Sequence, residues 1–187
     1  MKRGRNKPFL SIFLRYIILI VVAIPNLWIF YFVFTPLTLY PVYFLFNFVF
    51  GATLVGELIK IGYIPIKLIR ACVAGSAYYL LLILNLSIQN IKLKKRLGMI
   101  GFAFLLFLIL NIIRIFLMGW FLIYWPSVFD FTHKLFWYLL SIGFVIGIWF
   151  LEVRIFKIKE MPFYSDVRFL YEFSFLKRTK IKNKKLI

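Results

Sequence analysis

Apolar positions in this chain do not alternate with polar ones at the period of a helix face or a strand. They run on. Phe9 to Phe34, Cys72 to Asn90, Leu97 to Gly119 and His133 to Leu151 are nearly uninterrupted hydrocarbon and aromatic side chains, which predicts membrane spans rather than faces of a soluble core. The first span is expected to kink at Pro25. A fifth apolar stretch, Val42 to Phe50, follows the Thr35–Pro41 segment with its two prolines. At about 1.5 Å per residue it is too short for a hydrocarbon core of about 30 Å, so a re-entrant or interfacial helix is expected there. Gly51 to Arg70 is mixed, and Ile59-Lys60-Ile61 and Ile64-Pro65-Ile66-Lys67 suggest short extended pieces at an interface. The expected fold is an all-α polytopic membrane protein. It has four full spans, one short extra helix and an outer segment before the cysteine helix, with residues 1–151 as the membrane domain and 152–187 as a basic cytoplasmic tail.

Charge adds an orientation. The chain has 187 residues, with 24 Lys+Arg against 6 Asp+Glu and a formal net charge of +18. The basic residues fall in blocks between apolar runs, which is the positive-inside pattern and not a nucleic-acid footprint, so no nucleic acid is expected as a partner. The same blocks would attract anionic lipid headgroups. Lys2, Arg3, Arg5 and Lys7 before an apolar run resemble a signal peptide, but no small-x-small cleavage site follows, which predicts a retained span. If the N-terminal block, the Lys92–Arg96 loop and the tail share the cytoplasmic side, the chain crosses an even number of times between successive blocks. Treating Val42–Phe50 as non-crossing satisfies this, with both termini inside and Cys72 facing out. Arg114 then lies about 25 Å up its helix from Leu97, near the outer boundary, in the layer where Cys72 and His133 open their own spans.

These three residues are the candidate chemistry. A thiol at a helix N-terminus near a cation is activated toward the thiolate, although a buried inert cysteine is the plainer reading of Cys72 alone. An arginine deep in an apolar run usually faces a protein interior or a wet cavity. Asn111, one turn earlier, shares its face and is placed to orient it. The competing reading has Arg114 snorkelling to the headgroups. Histidine serves as general acid or base; otherwise Asp130 or Thr132 caps a helix and His133 is merely interfacial. One Cys and one His are too few for a closed zinc site, so neither metal nor cofactor is expected. Gly143 and Gly147 read as helix packing.

In order along the chain, Ala71-Cys72-Val73-Ala74-Gly75, Asn111-Ile112-Ile113-Arg114-Ile115 and Thr132-His133 resemble the exosortase/archaeosortase family, over about Thr35 to Leu151. The short length and the Cys-Val-Ala-Gly form are similar to small archaeal, pacearchaeosortase-like members. One departure stands out, because many members carry Ser-Gly or Thr-Gly directly after the cysteine, and here Val73-Ala74 precede Gly75. The resemblance implies a membrane cysteine transpeptidase acting on exported proteins that end in a short motif, a transmembrane helix and a basic tail. It also implies Cys72 as nucleophile, Arg114 as stabiliser of thiolate or oxyanion, His133 as proton carrier, and a lipid or glycan-linked acceptor. The residues alone also admit a small transporter or channel using Arg114 and His133 in a polar path, or a non-catalytic membrane scaffold.

Overall fold

Packing of aromatic residues and a few buried polar groups sets the course of the chain. The computed structural model describes residues 6–24, 26–89, 91–135, 141–158 and 162; Pro25 and most of the expected tail lie outside them. Two helices open the chain, α1 (Asn6–Ala23) and α2 (Trp28–Phe50). Between them Asn26 and Leu27 adopt positive φ, the left-handed conformation that ends a helix. The break therefore falls near the expected kink, but as an interruption.

Beyond it, the expected separate helix at Val42–Phe50 does not exist. Those residues are the second half of α2, which carries Pro36 and Pro41 inside it. Each proline removes one backbone donor, yet the helix continues because its buried stripe of Phe30, Phe34, Thr38, Val42 and Phe46 packs along its whole length. The helix ends only at Gly51, left-handed at φ 64, whose N–H bonds the Asn47 carbonyl.

The next segment corrects the all-α expectation. Strands β1 (Thr53–Val55), β2 (Leu58–Ile61) and β3 (Ile64–Lys67) form an antiparallel meander in that order. Val55 pairs with Leu58 and Ile61 with Ile64, so each hairpin has a two-residue loop. Gly56 and Gly62, the first loop residues, have φ of +63 and +57, as tight hairpins of this kind require. Ile59 and Ile61 point into a core with Val42, Phe46, Leu68 and Ile115. The sheet is thus seated on the helices rather than lying loose.

A one-turn helix, α3 (Arg70–Val73), leads into α4 (Gly75–Leu86), followed by α5 (Leu93–Tyr124), α6 (Pro126–Leu135) and α7 (Ser141–Ile155). α2 runs alongside α5 in the same direction, with Phe34 on Phe104, Phe46 on Phe116 and Phe50 on Trp120 at 5.6, 5.2 and 5.6 Å between ring centres. α4 runs the other way, with Tyr78 on Phe107 at 4.8 Å and the α4 C-terminus at Arg96. α1 starts beside that C-terminus, where Arg15 meets Leu86 and Ile88, and climbs to Tyr79, whose hydroxyl donates to the Leu19 carbonyl. Phe30 of α2 touches the same Tyr79. α1 and α2 therefore make a single pass of the bundle, interrupted halfway.

Two ends and a middle result. At one end, Arg15 donates to the carbonyls of Leu86 and Ile88, and Arg96 to those of Asn85, Leu86 and Ile88, all at 2.7–3.0 Å. Two guanidiniums thus satisfy the carbonyls that a helix C-terminus leaves exposed. Asn85 also donates to the fully buried Glu152 at 3.0 Å, so α7 continues past the expected boundary at residue 151. In the middle, Phe30, Phe34, Tyr78, Phe107 and Ala103 form a buried, largely aromatic core. The site occupies the other end.

The outer surface of the helices is apolar. Phe32, Phe44 and Phe48 on α2, Leu105 and Ile109 on α5 and Phe150 on α7 are exposed. Two helices, α2 and α5, are long and apolar enough to cross a membrane. Gly143 and Gly147 have open space where a side chain would stand, so the expected helix packing through them is not made among the described residues.

Candidate active site

Cys72 is positioned by the turn that contains it. β3 leads through buried Leu68 to Ile69, in extended conformation. The chain then coils once, with the Cys72 N–H donating to the Ile69 carbonyl at 2.8 Å and the Ala74 N–H to the Arg70 carbonyl at 3.2 Å. Ala74 is left-handed at φ 57, ψ 46, and α4 begins at Gly75. Cys72 therefore does not open the long helix as expected. It sits in the separate turn α3, its own amide already bonded, so a helix N-terminus is not what acts on the sulfur.

What does reach this turn comes from α5. Asn111, fully buried, donates through Nδ2 to the Cys72 carbonyl at 2.9 Å, and Arg114 Nη2 donates to the same oxygen at 3.2 Å. Residues three apart on a helix share a face, so one face of α5 clamps one carbonyl from two sides. This decides between the two readings of Arg114, which turns inward instead of snorkelling. Its charge lies within electrostatic range of the Cys72 sulfur. Asn111 Oδ1 is buried with no partner among the described residues.

His133 arrives differently from its expected position. It does not begin the last long helix but stands in the final turn of α6, beside Lys134. Phe129, one turn back, packs its ring 5.5 Å from the imidazole. Thr132 caps nothing; its hydroxyl donates to the Val128 and Phe129 carbonyls of its own helix. Asp130 belongs to α6, but its side chain lies outside the described residues.

Cys72, Arg114 and His133, from three separate elements, line one cavity of about 270 Å³. Gly75 supports it from behind, because a Cβ there would stand 2.9 Å from Cζ of Tyr31. Only a residue without a side chain lets α2 come this close. The cavity walls also include Tyr31, Lys67, Arg70, Ser76 and Phe129, with no Asp or Glu among the described residues. The Arg70 guanidinium sits 5.6 Å over the Tyr31 ring, within cation–π range. Sequence reasoning missed Tyr31 and Lys67 as wall residues. Tyr31 lies 41 positions before Cys72 among many aromatics, with no local signal to single it out, whereas Lys67 stood visible as a lone charge at the end of an extended piece.

The described residues contain no group of three or more His, Cys, Asp or Glu able to hold a metal ion. No protein-family model matches this chain, and no curated protein or solved structure matches it either.

Proposed function

We propose that this chain is a membrane cysteine transpeptidase of the archaeosortase type. It cleaves the C-terminal sorting signals of exported proteins through a Cys72 thioester and transfers them to a lipid or glycan-linked acceptor. The observation that carries this reading is the convergence of Cys72, Arg114 and His133 on one cavity, at the end of the bundle away from the basic Lys92–Arg96 loop.

In the first step the Cys72 thiolate attacks the scissile carbonyl, the C–N bond breaks, and protonated His133 gives its proton to the departing amine. In the second, an acceptor amine or hydroxyl passes its proton to His133 and attacks the thioester, returning the thiolate. Arg114 stabilises the thiolate and the oxyanion of each addition. Asn111 is a positioning residue, holding the Cys72 turn through its carbonyl.

The cellular setting follows the same reading. α1 with α2, then α4, α5 and α7, cross the membrane four times, both termini lie in the cytoplasm, and the cavity opens at the outer face. Support comes from the two long apolar helices, the exposed apolar surface of α2, α5 and α7, and the basic Lys92–Arg96 segment at the opposite end. A transporter would need a polar route from the cavity to the Arg15–Arg96 end, and among the described residues the closely packed core around Tyr78 and Phe107 lies between.

The test is processing of a co-expressed protein carrying a C-terminal motif, a transmembrane helix and a basic tail. Cys72→Ala and Cys72→Ser should leave the chain folded and inserted and abolish processing. Unchanged processing in Cys72→Ala cells would overturn the reading.

A further inference from the structure

The sheet has an edge with which no described residue pairs. In the order β1-β2-β3, β3 has a neighbour on one side only. Register tells which of its backbone groups face outward. Ile61 and Ile64 close a two-residue hairpin and so exchange hydrogen bonds, after which bonded and non-bonded pairs alternate. Ile59↔Ile66 is then bonded, while Lys60↔Pro65 and Leu58↔Lys67 are not. In a non-bonded pair the N–H and C=O point away from the partner strand. The outward groups of β3 are therefore the Pro65 carbonyl and both the N–H and the carbonyl of Lys67. Proline is tolerated at this position because its missing donor would have faced out, and the gap shortens the edge that another sheet could pair with. What remains open is concentrated at Lys67.

Lys67 is also a wall of the cavity that holds Cys72. We propose that the open edge of β3 receives the substrate's peptide segment preceding the scissile bond, as a fourth strand running parallel to β3 into the Cys72 cavity. This rests on the transpeptidase reading and adds how the substrate is held. The direction follows from geometry. β3 runs from Ile64 toward the cavity, so a peptide that delivers its C-terminal end to the sulfur lies parallel to it. One peptide residue then faces Lys67, its preceding carbonyl accepting from the Lys67 N–H and its following N–H donating to the Lys67 carbonyl. Main-chain bonds give affinity without reading sequence. Selection comes from the cavity, whose titratable walls Lys67, Arg70, Arg114 and His133 favour an acidic or uncharged residue next to the scissile bond over a basic one.

The test uses the full chain in lipid nanodiscs and the rate of Cys72 alkylation. The probes are acetyl-Thr-Val-Thr-Val-Gly with a C-terminal vinyl sulfone, acetylglycine vinyl sulfone, and iodoacetamide. Two added backbone hydrogen bonds correspond to about a tenfold advantage for the pentapeptide. N-methylation of the one amide that faces the Lys67 carbonyl should cancel the advantage, and so should Lys67→Pro. Lys67→Ala should keep most of it, the advantage being read in each variant as the pentapeptide rate over the acetylglycine rate, with iodoacetamide reporting the reactivity of the sulfur in that variant. The same peptide with its electrophile at the N-terminus should gain nothing, and Lys in place of the last Val should slow the reaction where Glu does not. An advantage that survives Lys67→Pro and every N-methylated probe overturns strand addition, as does no advantage at all with iodoacetamide still reacting; both leave the nucleophile standing. A sulfur inert to every probe removes the transpeptidase reading and this proposal with it.

Discussion

A carbonyl oxygen shared by two side chains is what ties Arg114 to Cys72. The guanidinium presents five N–H donors in a fixed fork, and Nη2 donates to the Cys72 carbonyl. Lysine at this position keeps the charge and loses the fork. Arg114→Lys should therefore lower kcat for processing by about 10²- to 10³-fold with little change in KM, the pattern of a donor lost to an oxyanion. Asn111→Leu removes the second donor to the same oxygen while keeping volume. It should cost about 1–3 kcal/mol in unfolding free energy, measured by denaturation in detergent. Side chains of this kind were legible in the sequence because an ionisable group in an apolar run is expensive and must have company. Tyr31 was not legible, since an aromatic among aromatics carries no such penalty.

Elements fared unevenly for a related reason. The extended character of Ile59–Ile61 and Ile64–Lys67 could be read, and so could Gly56 and Gly62 as turn formers once the register was known. The fate of Pro36 and Pro41 could not. Whether a helix survives a proline depends on packing on its other side, and the stripe from Phe30 to Phe46 is visible only in the fold. His133 was placed at the start of a helix and lies well inside one, because α6 already begins at Pro126, after the Trp125 break. Gly75 gives a sharp test of the Cys72 turn. Gly75→Ala forces Tyr31 to move, since the new methyl would lie 2.9 Å from its Cζ and 3.2 Å from its hydroxyl. A loss of about 1–3 kcal/mol is expected, read as a lower unfolding midpoint in detergent. Tyr31→Leu in the same chain should recover part of it, and independent losses would show that the two residues do not touch.

For the whole molecule, the apolar runs marked where α1, α4, α5 and α7 lie, but not that α1 and α2 follow one course along the bundle. A discontinuity at Asn26 and Leu27 is set by backbone conformation, which hydropathy does not report. Under the proposed topology, a membrane-impermeant thiol reagent should modify Cys72 in intact cells and fail to reach it in inverted vesicles. Labelling of inverted vesicles alone would reverse the assignment of sides. The far end has its own expectation. Arg96→Ala strips three carbonyl contacts from the end of α4 and should destabilise the fold by about 3 kcal/mol, while leaving iodoacetamide access to Cys72 in the folded fraction unchanged.

The stacked rings of Phe34 and Tyr78, 3.7 Å apart and crossed edge-on by Phe104 and Phe107, amount to a stopper. Among the described residues these rings stand between the cavity and the Arg15–Arg96 end, so under the proposed function the protons that His133 gives and takes are exchanged on the cavity side alone. Acidifying the medium around intact cells should shift the processing rate at once. Clamping the interior at another acidity with the exterior held constant should leave it where it was.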